Sequence, residues 1–419
     1  MPRQRLFVAS CISLVTTAMV FAIRGDVETA MSATFQLTKS QMGTIWSPAF
    51  WAFTISIFIS GALVDLVGLR SLHILSALGY FIGVGLVLVA PHPTAPVDSI
   101  FAHTGTTLLY AGFFVMGLSQ GLVEGVINPL VATIYSDQKT KRLNMLHAWW
   151  PGGMVIGGLL AVAMTQGFNA SWQLKLATIL VPSAIYLAMA VSMPYPATER
   201  VASNVPTSEM WAQTAKPLFL LLFVCMWMTA AAELGPDQWF PTVMGNLVPA
   251  LQGVLFLVYT AGLMFLLRTF GSNIAHKNPI GTLFVCSILT AIGLYWLGGL
   301  EPGTSALMAF AASTVFAVGK SYFWPTMIGV TAEQFPRGGA LLISIMGGTG
   351  MLSVAVALPI MGAKIDAMGG GAAGGGAALR MVAVLGVILA VIFGALFAWF
   401  KARGGYRPVE LAKGSTAPA

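Results

Sequence analysis

Apolar runs long enough to cross a bilayer recur along the entire chain, and they leave few folds open to it. They lie at about 6–31, 43–64, 71–91, 104–135, 144–166, 172–194, 216–244, 247–269, 279–299, 303–333, 340–362 and 378–401. The hydrocarbon core of a membrane is matched by about 20 residues of helix. The expectation is therefore an all-α membrane protein with twelve transmembrane helices in two six-helix bundles. Composition agrees, since 57% of the 419 residues are hydrophobic and only 8% charged, against about a quarter charged in a soluble domain.

Cationic loops are retained on the cytoplasmic side of a membrane. With the N-terminus inside, Arg3, Arg5, Arg70, Lys139, Lys141, Arg142, Arg200, Lys216, Arg268, Lys277, Arg337, Lys401, Arg403, Arg407 and Lys413 all fall on the cytoplasmic face. The outer loops keep Lys39, Lys175, Lys364 and Arg380. Both termini are then cytoplasmic in a cell (inner) membrane, and topology accounts for the net charge of +7 with no nucleic-acid partner. "MPRQR" followed by an apolar run reads as an uncleaved first helix. Cys11, Cys225 and Cys286 fall inside spans as small apolar fillers, and no Cys/His spacing suggests a metal.

The most polar interior stretch is "YPATERVASNVPTSEMWAQTAK". It divides the chain into a first bundle (1–194), a linker (195–216), a second bundle (217–401) and a tail (402–419). "GLVEGVINPLV" in the fourth span and "AVGKSYFWPTM" in the tenth suggest a duplication, because Glu124 stands five residues before Pro129 and Lys320 five before Pro325. Repeats six helices apart with equal topology imply halves related about the membrane normal, with a site between them. "GGGAAGGGAA" from Gly369 reads as a flexible outer loop.

A charge inside a membrane is a functional hypothesis by default, since it requires a partner or a water-filled cavity. The candidates are Arg24, Asp26 and Glu28 in the first helix, Glu124 in the fourth, Glu233 and Asp237 in the seventh, and Lys320 in the tenth. No other helix interior reads as comparably charged. Arg24 and Glu28 are four apart and share a helix face; a blander reading places this trio near outer water. Gly117, Gly121 and Gly125 form a small-residue stripe for close packing, with Gln120, Glu124 and Asn128 as a polar line beside it. Gly235 and Pro236 are expected to break the seventh helix, and Asp237 could simply cap its outer end. Among the aromatic residues, Trp239 and Trp324 follow cavity charges closely enough to offer stacking faces. "VGKS" at Val318 lacks the glycine and the preceding strand of a phosphate loop.

"GALVDLVGLR", Gly61 to Arg70, resembles the loop signature of the major facilitator superfamily. That resemblance implies a cytoplasmic charge relay through Asp65 and Arg70 that gates the carrier. "LLRTFGSNIAHK" is similar to a second copy without its acidic residue. A finer resemblance is to the fucose permease and glucose/mannose symporter branch, on Glu124, Asn128 and Pro129, then Leu143, Asn144 and His147, and "AELGPDQW". It implies proton coupling through Asp26 and Glu124. The expected substrate-binding set is Arg24, Asp26, Glu28, Glu124, Asn128, Asn144, His147, Glu233, Trp239, Lys320 and Trp324, with Lys320 opposing Glu124. The function implied is secondary active transport of a small polar solute, a sugar, by proton-coupled (or sodium-coupled) alternating access of a monomer. Rivals are an organic-anion or sugar-acid carrier using Arg24 and Lys320, and an amphiphile or drug exporter. No paired nucleophile and base points to an enzyme, and no cofactor is expected.

Overall fold

The computed structural model describes residues 2–37, 39–249 and 253–410; within helices, the side chains of residues 28, 29, 39, 40, 241, 254 and 366 lie outside the described residues. Twelve apolar helices or helix pairs are present among the described residues, eleven of them long enough to cross a membrane and one, near 255–270, shorter. They are α1 (Arg3–Phe35), α2 (Pro48–Val67, after a short helix Lys39–Trp46), α3 (Leu69–Leu88), α4 (Thr104–Ile134), α5 (Lys139–Phe168, with a step at Ala148) and α6 (Trp172–Ser192). After the connecting segment come α7 (Pro217–Leu247), α8 (Val254–Phe270), α9 (Pro279–Leu297), α10 (Ala306–Gln334), α11 (Gly339–Ala367) and α12 (Gly371–Ala402). The starts follow local chemistry: proline opens α2, α7 and α9, where its missing N–H costs nothing. Ser305 caps α10 through the Met308 N–H, supplying an acceptor to a first-turn donor.

α1 packs on α5, α2 and α3 on α4, α7 on α11 and α12, and α9 on α10 and α12. The glycine stripe of α4 is what lets α2 come so near. A Cβ on Gly117 would stand 2.6 Å from the Pro48 carbonyl, and one on Gly125 would overlap Ser60. Between the first six helices and the last six, α2 meets α11, α5 meets α8, and the start of α5 meets the second half of α10.

The start of α1 and the described segment after α12 lie at one end of the bundle. Phe7 rests edge-on against Tyr135 at 5.9 Å, while the Tyr406 hydroxyl donates to Glu333 Oε2 (2.7 Å) and Glu333 Oε1 accepts from the Thr140 N–H (3.0 Å) and hydroxyl (2.7 Å). Burial, with the Glu333 carboxylate beside it, pushes the Tyr406 hydroxyl pKa well above its ordinary value, so it stays a donor. Lys139 adds an ion pair to Glu199 (2.6 Å) and a bond to the Ala332 carbonyl (3.3 Å). The two sets of helices are thus tied together at the terminus-bearing end.

Three expectations need correction. α7 runs unbroken through Gly235 and Pro236; the interruption is in α10 instead, where Ser321 and Tyr322 separate Ala306–Lys320 from Phe323–Gln334. The glycine run after Gly369 is largely the first turns of α12, with Gly374, Gly375 and Gly376 buried. They are needed for close approach, since a Cβ on Gly376 would lie 2.6 Å from the Gly298 carbonyl oxygen. Lys175 belongs to α6 and is buried, because Asp26 of α1 accepts its charge (2.6 Å).

Candidate functional site

The polar line of α4 turns inward and meets α5. Asn128 Nδ2 donates to Glu124 Oε2 (2.6 Å) and to the Glu124 carbonyl (3.0 Å), and its Oδ1 accepts from His147 Nε2 (2.8 Å). Helical spacing of four places Glu124 and Asn128 on one face, and the step at Ala148 lets His147 reach them. His147 Nε2 is itself 3.9 Å from Glu124 Oε2. All three side chains are buried, so carboxylate, amide and imidazole form one connected network in which the amide fixes the imidazole tautomer.

Opposite stands a residue that the sequence reading placed in a cytoplasmic loop. Arg268 of α8, 1% exposed, donates from Nη2 to Glu233 Oε1 of α7 (2.6 Å), from Nη1 to the His147 carbonyl (2.9 Å) and from Nε to the Ser321 carbonyl. Glu233 Oε2 in turn accepts from the Trp324 N–H (3.0 Å). The pair therefore fills the gap in α10: arginine takes a carbonyl left free where the first segment ends, glutamate an N–H where the second begins. Through His147 it also ties the last six helices to the first six.

Lys320 does not oppose Glu124; it is engaged by Asp237, one turn beyond Glu233 on α7. Asp237 is thus a partly buried ion-pair partner within α7 rather than a cap on its outer end. Arg24 sits among Phe21, Phe50 and Trp46, its Cζ 4.7, 5.0 and 5.6 Å from the three ring centroids. Of the two cations in the rival anion-carrier reading, Lys320 is paired with Asp237 and Arg24 is held by aromatic rings. Asp26 turns away to Lys175, which removes it from the network around Glu124. The Glu28 side chain lies outside the described residues. Asn144 lies nearer the start of α5, donating to Thr140 O (2.9 Å) and Thr326 Oγ1 (3.3 Å) across the helix sets. The Trp239 ring rests against Gly362 of α11, whereas Trp324 does line the cavity.

That cavity is small, about 20 Å³, and is walled by Glu124, His147, Glu233 and Arg268 with Phe53, Trp150, Leu234, Trp324 and Met351. A neighbouring one of about 40 Å³ shares Trp150, Leu234 and Met351 and adds Phe21, Phe50, Asp237 and Gln238. Both are lined from the two helix sets by charged and aromatic side chains together.

The gating pair also differs from expectation. Asp65 accepts from Arg200 Nε (2.8 Å) and from Arg200 Nη2, and from the Thr198 hydroxyl (2.6 Å), so its partner belongs to the connecting segment. Arg70 donates instead to the Ala190 carbonyl (3.2 Å) and that of Val191 at the end of α6.

Eleven helices long enough to cross a membrane and a twelfth, shorter one surround a buried polar site between two helix sets, and the family match makes this a transporter of a small-molecule substrate, not an enzyme. The chain belongs to the Major Facilitator Superfamily, whose sequence profile matches residues 6–316. It is 22% identical over 330 residues to the niacin/nicotinamide transporter candidate NiaP of Bacillus subtilis (strain 168), covering 76% of this chain and 78% of that protein. In fold it is similar to the E. coli fucose:proton symporter FucP (TM-score 0.72, 15% identity, 92% of this chain and 98% of that one). It is also similar to the proton:xylose symporter XylE bound to 6-bromo-6-deoxy-D-glucose (0.72, 14%, 94% and 95%). A third likeness is to a human organic anion transporter (0.73, 12%, 94% and 100%).

Proposed function

We propose that the protein is a proton-coupled symporter of a small polar solute of the sugar class, with residues 1–194 rocking against 217–401 around the central cavity. The observation that carries this is the Glu124–Asn128–His147 network, buried at the seam between the two helix sets and facing Arg268 across it. A buried carboxylate with a partner of adjustable polarity suits proton uptake and release. Protonated Glu124 can donate to an inverted Asn128 amide, whose Nδ2 then meets the lone pair of the other His147 tautomer. The proton is thereby held without an uncompensated charge. Trp150 and Trp324 offer flat apolar faces, and Arg268 and His147 offer hydrogen bonds to hydroxyl groups.

Asp26, held by Lys175, takes no part in this scheme, and Glu124 alone is the coupling carboxylate. In the cell the protein is a monomer in the inner membrane with both termini cytoplasmic, so the ties at the terminus-bearing end close the cytoplasmic side. The fucose and xylose specificities of two structural neighbours accord with a sugar. Moving one proton inward supplies about 2.3 kcal/mol per 100 mV, enough to concentrate solute usefully. The test is Glu124→Gln in proteoliposomes: uptake should no longer respond to an imposed pH gradient while counterflow persists. Acid-driven uptake unchanged in that variant would end the proposal.

A further inference from the structure

We infer that Arg24 and Trp46 form a carboxylate-binding subsite beside the transport cavity, so that the cargo is an acid, such as a sugar acid or a small aromatic acid, rather than a neutral solute. This deepens the transport reading above and rests on it. Arg24 is 6% exposed, and its Nη1 is buried with no hydrogen-bond partner; the indole Nε1 of Trp46 is likewise buried and unpartnered. The two donors are neighbours, since Trp46 is one of the three rings around the guanidinium. Aromatic faces attract the cation but accept none of its in-plane N–H bonds. Among the described residues the nearby carboxylates are committed elsewhere, Asp26 to Lys175 and Asp237 to Lys320. Glu28 lies four residues along α1 with its side chain outside the described residues; the two unpartnered atoms are Arg24 Nη1 and the indole nitrogen.

What these two donors lack is an acceptor. A carboxylate supplies two, one oxygen meeting Arg24 Nη1 and the other Trp46 Nε1, and a charged acceptor makes the stronger bond to a guanidinium. A neutral hydroxyl supplies an acceptor and no charge. Phe21 and Phe50, which hold Arg24, also wall the cavity that contains Trp150, Leu234 and Met351. An acid anchored at Arg24 therefore lays its body against aromatic faces next to the Glu124 network. Lys320, paired with Asp237, is not needed.

The test compares D-galacturonate with D-galactose and benzoate with benzamide by thermal shift and equilibrium binding to the purified full-length protein, and by uptake in proteoliposomes. At least one acid should bind about ten-fold or more tightly than its neutral counterpart, the size of effect expected for a hydrogen bond to a charged group. Which pair shows the preference tells a sugar acid from an aromatic one. Arg24→Gln should abolish the preference. Trp46→Phe, which keeps a ring beside Arg24 and removes only the N–H, should weaken the acid about ten-fold and leave galactose or benzamide unaffected. Its unliganded melting temperature shows that the variant folds. Neutral compounds bound as well as the acids, or an acid preference untouched in Trp46→Phe, overturns the subsite. Galactose uptake that still follows a pH gradient would in that case leave the symport reading standing. An acid preference retained in Glu124→Gln, with unchanged pH response, would sink the symport reading and spare the subsite. Silence from all four compounds would overturn both.

Discussion

Replacing Arg268 with methionine keeps the volume and removes the charge at the point where four helices meet. Glu233 would be left buried with the Trp324 N–H (3.0 Å) as its remaining donor, and the carbonyls of His147 and Ser321 would lose theirs. Removing one member of a buried ion pair costs about 3–5 kcal/mol, mostly because the other charge stays behind. Each abandoned carbonyl adds about 1 kcal/mol or more where water from the cavity does not reach it. Arg268→Met should therefore lose about 4 kcal/mol or more. Adding Glu233→Gln to Arg268→Met takes away the stranded charge, while the new amide oxygen can still accept from the Trp324 N–H, so the double variant should regain at least half of that loss. Denaturant melts of the detergent-purified protein, followed by tryptophan fluorescence, measure both. Counterflow should stay low in the double variant, because the bond from α8 to the His147 carbonyl is not restored. A double variant as unstable as the sum of the two single ones would refute the reasoning, since the two side chains would then act independently.

The gate and the glycine contact give two further tests. Arg200→Ala breaks the buried Asp65–Arg200 pair and should cost about 3 kcal/mol, with Arg70→Ala, which loses bonds only to the Ala190 and Val191 carbonyls, costing less than half as much; melts of the two variants side by side decide it. Gly376→Ala drives a methyl group to 2.6 Å from the Gly298 oxygen and should cost about 1–3 kcal/mol, whereas Gly369→Ala, with no atom within 4 Å, suffers only its own strain at φ 81°. A melt showing no loss in Gly376→Ala would mean that the α9–α12 contact yields.

The twelve helices and the α4 stripe were legible because both are properties of one segment: apolar length, or a spacing of four. Glu124, Asn128 and His147 meet in one network, a contact between α4 and α5 that the motif names by residue type alone. Arg268 was not legible, because an arginine near the end of an apolar run is indistinguishable from a loop cation until α7, α5 and α10 converge on it. The same limit applies to Asp65, whose neighbour in the motif is Arg70 but whose partner is Arg200, 135 positions away. Lys320 is buried in α10 while Asp26 stands exposed on α1, and for both the choice between cavity and ion pair belonged to Lys175 and Asp237. The glycine run after Gly369 was misread because composition reports flexibility in isolation and says nothing of a second helix close enough to require absent side chains.

The opposite charges of the two repeats follow from how each helix treats its proline. α4 remains helical through Pro129, so position 124 lies within a continuous helix and its carboxylate is free to join a side-chain network. α10 stops at Lys320 and resumes at Phe323, which makes position 320 a helix C-terminus, where exposed carbonyl groups favour a cation. The adjoining start favours an anion, and Glu233 is there. With the gap closed by Glu233 and Arg268 and the lysine held by Asp237, these four charges near the centre of the last six helices are each committed to a partner of opposite sign. Glu124 has only an amide and an imidazole, neither of which must carry charge. Under the proposed symport the proton would therefore be carried on α4, with the ion pairs of α7, α8 and α10 as the frame against which it acts.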